Sequence, residues 1–162
     1  MVKLCLKQRC LHKLLKKKIN NMSNAQANIH PNAIIAENAI IEPFATIGDN
    51  VEIGAGTWIG PGAVIMSGAR IGENCKIFPG AVISAIPQDL KFAGEDTTVI
   101  IGNNTTIREC VTINRGTVDK MTTQIGDNCL VMAYTHFGHD TIMGDNCVVA
   151  NSVNIAGHVT IE

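Results

Sequence analysis

The stretch IGDNVEIGAGTWIGPGAVI, residues 47–65, decides the fold, because isoleucine returns in it at every sixth position. The same spacing extends to both sides of the stretch, with isoleucine at Ile29, Ile35, Ile41, Ile71, Ile77 and Ile83. A helix repeats near 3.6 residues and a strand repeats at two, so a period of six requires a chain that turns regularly. Glycine or asparagine usually stands three residues after the isoleucine, as tight corners require. The residue after that is small, which predicts a short strand, a corner and a small inward side chain in every hexad.

The same six-residue phase continues to the end of the chain. Apolar residues occupy it at Ile101, Ile107, Ile113, Ile125, Val131, Phe137, Met143, Val149, Ile155 and Ile161. Only residues 84–100 and 117–124 leave the phase, and both return to it, so we expect two loops on an unbroken solenoid. We therefore predict an all-β fold, a parallel β-helix over residues 28–162. The resemblance to hexapeptide-repeat proteins implies a left-handed solenoid with three hexads per coil.

The N-terminal residues differ in composition from the repeat. Seven of the thirteen basic residues precede residue 22, whereas all fourteen acidic residues lie at Glu37 or later. We interpret residues 1–27 as a basic extension, a leader or a disordered segment, with Met22 as the true start. An amphipathic helix on a membrane surface is the alternative for residues 1–21, and a secretory signal is disfavoured because charges interrupt each apolar run.

Composition favours a compact domain with a narrow core. Hydrophobic residues make up 46% of the 162 residues but aromatic residues only 4%, as expected where small and β-branched side chains fill a solenoid. Cys75, Cys129 and Cys147 occupy the small inward position and show no zinc-type spacing, so we interpret them as apolar core residues. No apolar run reaches the length needed to span a membrane. A cytoplasmic location is the default expectation.

Two polar segments stand out from the scaffold. Gln88, Asp89 and Lys91 offer an amide, a carboxylate and an ammonium in the first loop, enough to hold a polyhydroxylated ligand by hydrogen bonds. A solvated loop would look similar, so this segment alone assigns no function. The second segment follows the second loop and contains His136 and His139.

The six-residue period predicts that several histidines converge. Phe137 takes the core position, so His136 before it points outward, and His139 lies at the end of that strand. Three hexads, or one coil, separate His139 from Gly157. Gly157 should therefore lie one strand spacing, about 4.8 Å, from His139, with His158 beside it.

Such a patch suits acyl transfer. A neutral histidine with a pKa near 6.5 can remove a proton from an alcohol as it attacks a thioester, and a glycine N–H can stabilise the oxyanion. Asp140 adds a carboxylate next to His139. The alternative is that these histidines only cap corners of the solenoid. Convergence of three imidazoles favours the functional interpretation.

The motifs resemble those of a known enzyme family. Gln88-Asp89-Leu90-Lys91, Arg115-Gly116-Thr117, His136-Phe137-Gly138-His139-Asp140 and Ala156-Gly157-His158 occur in this order on a hexapeptide solenoid. In this they resemble the acyl-carrier-protein-dependent UDP-N-acetylglucosamine O-acyltransferases. The resemblance covers about residue 28 to the end of the chain.

The resemblance implies transfer of a 3-hydroxyacyl group from acyl carrier protein to the 3-hydroxyl of UDP-N-acetylglucosamine, the first step of lipid A biosynthesis. It implies that His139 is the general base, that Asp140 is its partner and that the Gly157 N–H forms the oxyanion hole. It also implies substrate contacts from Gln88, Asp89, Lys91, His136 and His158. The family is a cytoplasmic homotrimer with active sites between subunits, and we expect neither a metal nor another cofactor, no nucleic acid partner and no stable membrane insertion.

Two features depart from the family pattern. Asn114 stands where some members have a histidine that contacts the nucleotide, so we expect a substrate contact of different reach and charge. The chain stops at Glu162, whereas the family continues through more coils into a helical domain, so we expect a C-terminally truncated chain.

Three other functions are compatible with the scaffold. A zinc enzyme of the carbonic anhydrase type would use His136, His139 and His158 as metal ligands, but the Gln88-Asp89-Leu90-Lys91 loop would have no role in it. The N-acyltransferase of the same pathway is the nearest relative within the acyltransferases. A non-catalytic solenoid is the remaining alternative, and failure to bind UDP-N-acetylglucosamine would distinguish it.

Overall fold

The structure, a computed structural model, describes residues 26–162, so the interpretation of the basic extension lies almost wholly outside the described residues. Twenty short strands occur in this range. The first ten are β1 (Asn28–Ile29), β2 (Ile34–Ile35), β3 (Ile40–Ile41), β4 (Thr46–Ile47), β5 (Glu52–Ile53), β6 (Trp58–Ile59), β7 (Val64–Ile65), β8 (Ala69–Ile71), β9 (Lys76–Ile77) and β10 (Val82–Ala85). The others are β11 (Thr98–Ile101), β12 (Thr106–Ile107), β13 (Thr112–Asn114), β14 (Thr122–Ile125), β15 (Leu130–Val131), β16 (His136–Phe137), β17 (Ile142–Met143), β18 (Val148–Val149), β19 (Asn154–Ile155) and β20 (Thr160–Ile161).

Every third strand pairs in parallel, which produces three sheets. The first sheet has the order β1-β4-β7-β10-β13-β16-β19, the second β2-β5-β8-β11-β14-β17-β20 and the third β18-β15-β12-β9-β6-β3. Where no loop intervenes, partners are eighteen residues apart, as in Thr46 with Val64 and His136 with Asn154. The chain is a left-handed parallel β-helix, and the predicted fold class is confirmed.

The core is a set of stacked apolar side chains. Ile47, Ile65, Ile83, Ile113 and Phe137 succeed one another in the first sheet, and each is at most 2% exposed. The residue before each of them points outward, because side chains alternate along a strand. Side chains at the outward positions of this sheet are therefore not required for the core and can serve a functional site.

Corners of the solenoid need left-handed backbone angles. Asn50 has a φ of 47° and Gly56 a φ of 70°, at the third position after the isoleucine that the sequence marks with asparagine or glycine. Asp140 and His158 lie at equivalent corners, with φ of 58° and 65°. These corners turn consecutive residues out of the strand direction at the end of the first sheet.

Two longer connections leave the first sheet at neighbouring strands. Residues 86–97 follow β10, and residues 115–121 follow β13, whereas the sequence indicated departures over 84–100 and 117–124. Strand pairing continues further than the repeat does, because Ala85 aligns with Asn114 beyond a register irregularity. The second connection therefore begins at the strand next to β16, which carries His136, and the first connection begins one strand further away.

No helix occurs in the part of the chain that the structure describes, and so none there has the length and apolar character needed to cross a bilayer.

Candidate functional site

A cleft of about 290 Å³ lies at the end of the first sheet. It is lined by Gln88, Asn114, His136, Gly138, His139, Asn154, Ile155, Ala156 and Gly157. These residues come from β13, β16 and β19, from the corners that follow them and from the loop after β10. The fold thus gathers side chains from sequence positions as distant as 88 and 157.

His139 and Asp140 form an imidazole–carboxylate pair beside this cleft. The His139 Nδ1 lies 2.9 Å from the Asp140 Oδ2, and the Asp140 side chain is completely buried. The Thr117 N–H and hydroxyl donate to the same carboxylate at 3.0 and 2.5 Å, and the Lys120 N–H donates at 3.1 Å. With the Nδ1–H of His139 held by Asp140, the Nε2 is left available for a substrate proton.

Asp140 is held as a carboxylate by these donors. Burial alone would raise its pKa, but hydrogen bonds from the Thr117 side chain, His139 and the Thr117 and Lys120 backbone outweigh burial, and the pKa lies below its ordinary value. Asp140 is therefore ionised at neutral pH, the state that orients His139 and stabilises an imidazolium.

The lowered pKa of Asp140 predicts an acid-dependent loss of stability. The stabilisation should be complete above an unfolded-state pKa of about 3.9 and should disappear as the pH falls through the lower folded-state value. Urea unfolding between pH 7 and pH 2 should show the difference between wild type and Asp140→Asn shrinking in that window. A difference in unfolding free energy that stays constant from pH 7 to pH 2 would show that the ionised Asp140 is not its source.

Two glycines make the close approach of the coils possible. A Cβ on Gly138 would lie 2.5 Å from the Gly157 N, and a Cβ on Gly157 would lie 2.9 Å from the Cε1 and Nε2 of His139. Among residues 26–162 no acceptor takes the Gly157 N–H. The Gly157 N–H is thus a free donor close to the Nε2 edge of His139, as an oxyanion hole requires.

Gly157→Ala should move the His139 ring. The new methyl group meets the ring at 2.9 Å, below any ordinary carbon contact, so the imidazole must rotate away while the main chain gives slightly at the His139 carbonyl. We expect any reaction that uses the His139 imidazole to slow about tenfold or more, with a small change in thermal stability. Gly62→Ala is the control for stability alone. A Cβ at this open corner meets nothing within 4 Å, but the φ of 68° strains any side chain.

His136 stands in a column of polar side chains on the outer face of the first sheet. Its strand neighbours are Thr112 and Asn154, and the Thr112 hydroxyl lies 2.8 Å from the His136 Nδ1. Burial lowers the pKa of His136, so the imidazole is neutral at neutral pH. His136 can therefore exchange hydrogen bonds with a ligand in the cleft without adding charge.

The His158 ring packs edge-to-face against the His139 ring. The two ring centroids are 4.9 Å apart at an interplanar angle of 90°, and the backbone N–H of His158 donates to the backbone carbonyl of His139. The His158 Nδ1 lies 3.0 Å from the Asp119 Oδ2 in the loop after β13. Each of the two neighbouring imidazoles thus has its own carboxylate.

The possible metal ligands differ from those of the zinc alternative. Within residues 26–162 the group that could hold an ion is His139, Asp140 and His158, whose ligand atoms lie within 4.8 Å of one another. His136 is not in this group, and Asp140 already accepts hydrogen bonds from Thr117, Lys120 and His139. One chain therefore does not bring the three expected histidine ligands together.

The structure brings only some of the expected substrate residues to the cleft. The lining residues include Gln88, Asn114 and His136, but not Asp89, Lys91 or His158. The Asp89 Oδ1 instead accepts the Lys91 N–H at 2.9 Å, which closes a turn within the loop. The Asn114 side chain donates to the Ile86 carbonyl at 3.2 Å, and its buried Oδ1 has no partner among the described residues.

Sequence reasoning missed several residues of the site. They are Thr112, Asp119, Lys120 and Asn154, and Thr117 was named only within a motif and without a role. Counting one coil from His136 would have found Asn154. Thr112 precedes the core residue Ile113, so the outward position of the repeat would have indicated it as well. Asp119 and Lys120 depend on the path of the loop after β13, for which the repeat gives no signal.

Comparison with known proteins begins with a family model described as bacterial transferase hexapeptide (six repeats). It matches residues 26–57, 50–85 and 122–161, which together exceed half of the chain. The unmatched residues between 86 and 121 include both long connections.

The chain is also similar to individual proteins. It is 57% identical over 142 residues to the acyl-[acyl-carrier-protein]–UDP-N-acetylglucosamine O-acyltransferase of Aliarcobacter butzleri, a match that covers 83% of this chain and 55% of the relative. It is 49% identical to the protein of the same name from Verminephrobacter eiseniae, covering 83% and 54%. Among solved structures, a UDP-N-acetylglucosamine acyltransferase from Bacteroides fragilis is 51% identical with a TM-score of 0.84, covering 86% and 55%. The chain thus spans about half the length of these relatives.

Proposed function

Because this chain belongs to the bacterial transferase hexapeptide family, we propose that the protein containing it is an O-acyltransferase. It transfers a 3-hydroxyacyl group from acyl carrier protein to the 3-hydroxyl of UDP-N-acetylglucosamine, the first step of lipid A biosynthesis. The names of the relatives at 49% and 57% identity support these substrates. The observation that carries the proposal is the His139–Asp140 pair beside the free N–H of Gly157.

The chemistry uses His139 and Gly157. The Nε2 of His139 takes the proton of the sugar 3-hydroxyl as its oxygen attacks the thioester carbonyl carbon. The Gly157 N–H stabilises the negative charge that develops on the carbonyl oxygen. Collapse of the tetrahedral intermediate breaks the carbon–sulfur bond, and the leaving thiolate takes the proton back from the imidazolium. Asp140 stabilises that imidazolium between the two proton transfers.

The remaining residues bind and orient the substrates. Gln88, Asn114 and His136 line the cleft, and the unpartnered Oδ1 of Asn114 offers an acceptor to an O–H or N–H of the sugar nucleotide. Asp89 and Lys91 follow Gln88 in the same loop and contact the substrate once the complete site is formed. His158 contacts substrate next to the general base.

The protein acts as a cytoplasmic homotrimer with its sites between subunits, and it needs no metal or other cofactor. Its partners are the acyl carrier protein and the sugar nucleotide, with no nucleic acid and no stable membrane insertion.

The test is a transfer assay with the protein that contains this chain. Incubation with 3-hydroxyacyl-acyl carrier protein and UDP-N-acetylglucosamine should give a sugar nucleotide heavier by one acyl group, and mild base should release that group because an ester has formed. A base-resistant amide product would indicate the N-acyltransferase instead. Absence of any product together with no binding of UDP-N-acetylglucosamine would refute the proposal.

A further inference from the structure

The loop after β13, residues 115–121, is fixed by one buried carboxylate. Asp140 accepts hydrogen bonds from the Thr117 backbone, the Thr117 hydroxyl and the Lys120 backbone, and the Lys120 Nζ donates to the Asp140 carbonyl at 3.0 Å. The two anchored residues lie on either side of Val118 and Asp119. The tip of the loop is therefore held at both ends although Val118 is 71% exposed.

Asp119 uses this fixed position to reach across to another coil. Its Oδ2 lies 3.0 Å from the Nδ1 of His158, thirty-nine residues later in the chain. The side chains are 60% and 49% exposed, and an isolated pair of this exposure is worth little because two side chains must be ordered. Here the loop already orders Asp119, and the edge contact with His139 restricts His158.

We propose that Asp119 is a positioning residue that holds His158 as its Nδ1–H tautomer. The His158 Nε2 then accepts a hydrogen bond from a hydroxyl or amide N–H of the sugar nucleotide, a step that rests on the proposed function. A carboxylate accepts and does not donate, so a neutral His158 must carry its proton on Nδ1 to make this bond. The free Nε2 then has a lone pair and no proton. His158 thus selects for a donor on the substrate, next to the base that deprotonates the reacting hydroxyl.

The same geometry makes Asp140 the anchor of both imidazoles. It binds His139 directly, and it binds His158 through Thr117, Lys120 and the loop tip that carries Asp119. The Lys120 ammonium is engaged with the Asp140 carbonyl, and within residues 26–162 the ion pair of Asp119 is with His158. Asp119 is therefore available to His158 and is not neutralised by its neighbour in sequence.

The first test measures the tautomer directly. Nitrogen-15 NMR at pH 8 should show the Nδ1–H form of His158 in wild type, with the signal assigned by its loss in His158→Gln. Asp119→Ala should shift the ring toward the Nε2–H form that an untethered imidazole prefers. Asp49→Ala, which removes an exposed acid five coils away, should leave the His158 signal unchanged. An Nε2–H tautomer in wild type, or no shift in Asp119→Ala, would overturn the inference.

The second test measures substrate binding. Asp119→Ala should raise the KM for UDP-N-acetylglucosamine about two- to fivefold, the range expected for an exposed pair, with kcat and the KM for acyl carrier protein nearly unchanged. A purely structural role would instead lower stability and change both substrates alike, which would overturn the assignment. If wild type transfers no acyl group, the proposed function fails, and the NMR measurement still decides whether Asp119 positions His158.

Discussion

His139→Ala should abolish most acyl transfer while the sugar nucleotide still binds. Removal of a general base typically lowers the rate about a hundred- to ten-thousandfold. Binding should survive because the base acts mainly in the transition state and because Gln88, Asn114 and His136 line the cleft independently of it. The measurement is kcat at saturating substrates together with the Kd for UDP-N-acetylglucosamine.

His30→Ala is the matched control for this experiment. His30 is an exposed histidine in the first coil, where its Nδ1 accepts the Asn32 N–H at 3.2 Å, so its loss should leave kcat unchanged. Near-normal turnover of His139→Ala at neutral pH would defeat the mechanism. Parallel loss of bound zinc in His136→Ala, His139→Ala and His158→Ala would support the metal enzyme instead.

Among the substitutions considered, Asp140→Ala should lower the free energy of unfolding most. The substitution leaves the Thr117 and Lys120 donors and the His139 Nδ1 without their shared acceptor, and it puts alanine at a φ of 58°. Each buried unsatisfied donor costs about 1–3 kcal/mol, and breaking a buried charged network costs about 3–5 kcal/mol in total. Urea unfolding at a fixed protein concentration should show a loss in that range, and acyl transfer should fall as well.

Asp145→Ala provides the comparison for Asp140→Ala. The Asp145 Oδ1 accepts one hydrogen bond, from the Asp127 N–H at 2.7 Å, on an exposed corner. We expect a loss of about 1 kcal/mol or less. Equal losses in the two variants would mean that the network around Asp140 adds nothing beyond an ordinary corner.

The fold could be predicted from the sequence because each hexad repeats the same pattern of core and corner residues. An isoleucine such as Ile113 or Ile125 buries itself inward, and asparagine or glycine takes the left-handed corner. The coil of eighteen residues then follows by counting. The contact of Gly157 with His139 was predicted in this way, since it depends only on the period.

The loops could not be predicted in the same way. No repeat determines how residues 115–121 return to the solenoid. The contact of Asp119 with His158 and the hydrogen bonds that Thr117 and Lys120 make to Asp140 were therefore not foreseen. The first loop offered three polar residues, and only Gln88 lines the cleft within this chain. Side-chain direction in a loop depends on local turns such as the one between Asp89 and Lys91.

The eighteen-residue register also restricts how such a protein can change in length during evolution. Deleting one residue between Phe137 and Ile155 would turn the inward set outward in every later strand, because neighbouring side chains point to opposite faces. Gain or loss of a complete coil would preserve every pairing, and the part of the connection between β10 and β11 that follows Lys91, residues 92–97, could vary in number. Inherited insertions and deletions in relatives should therefore concentrate in that connection or come as whole coils.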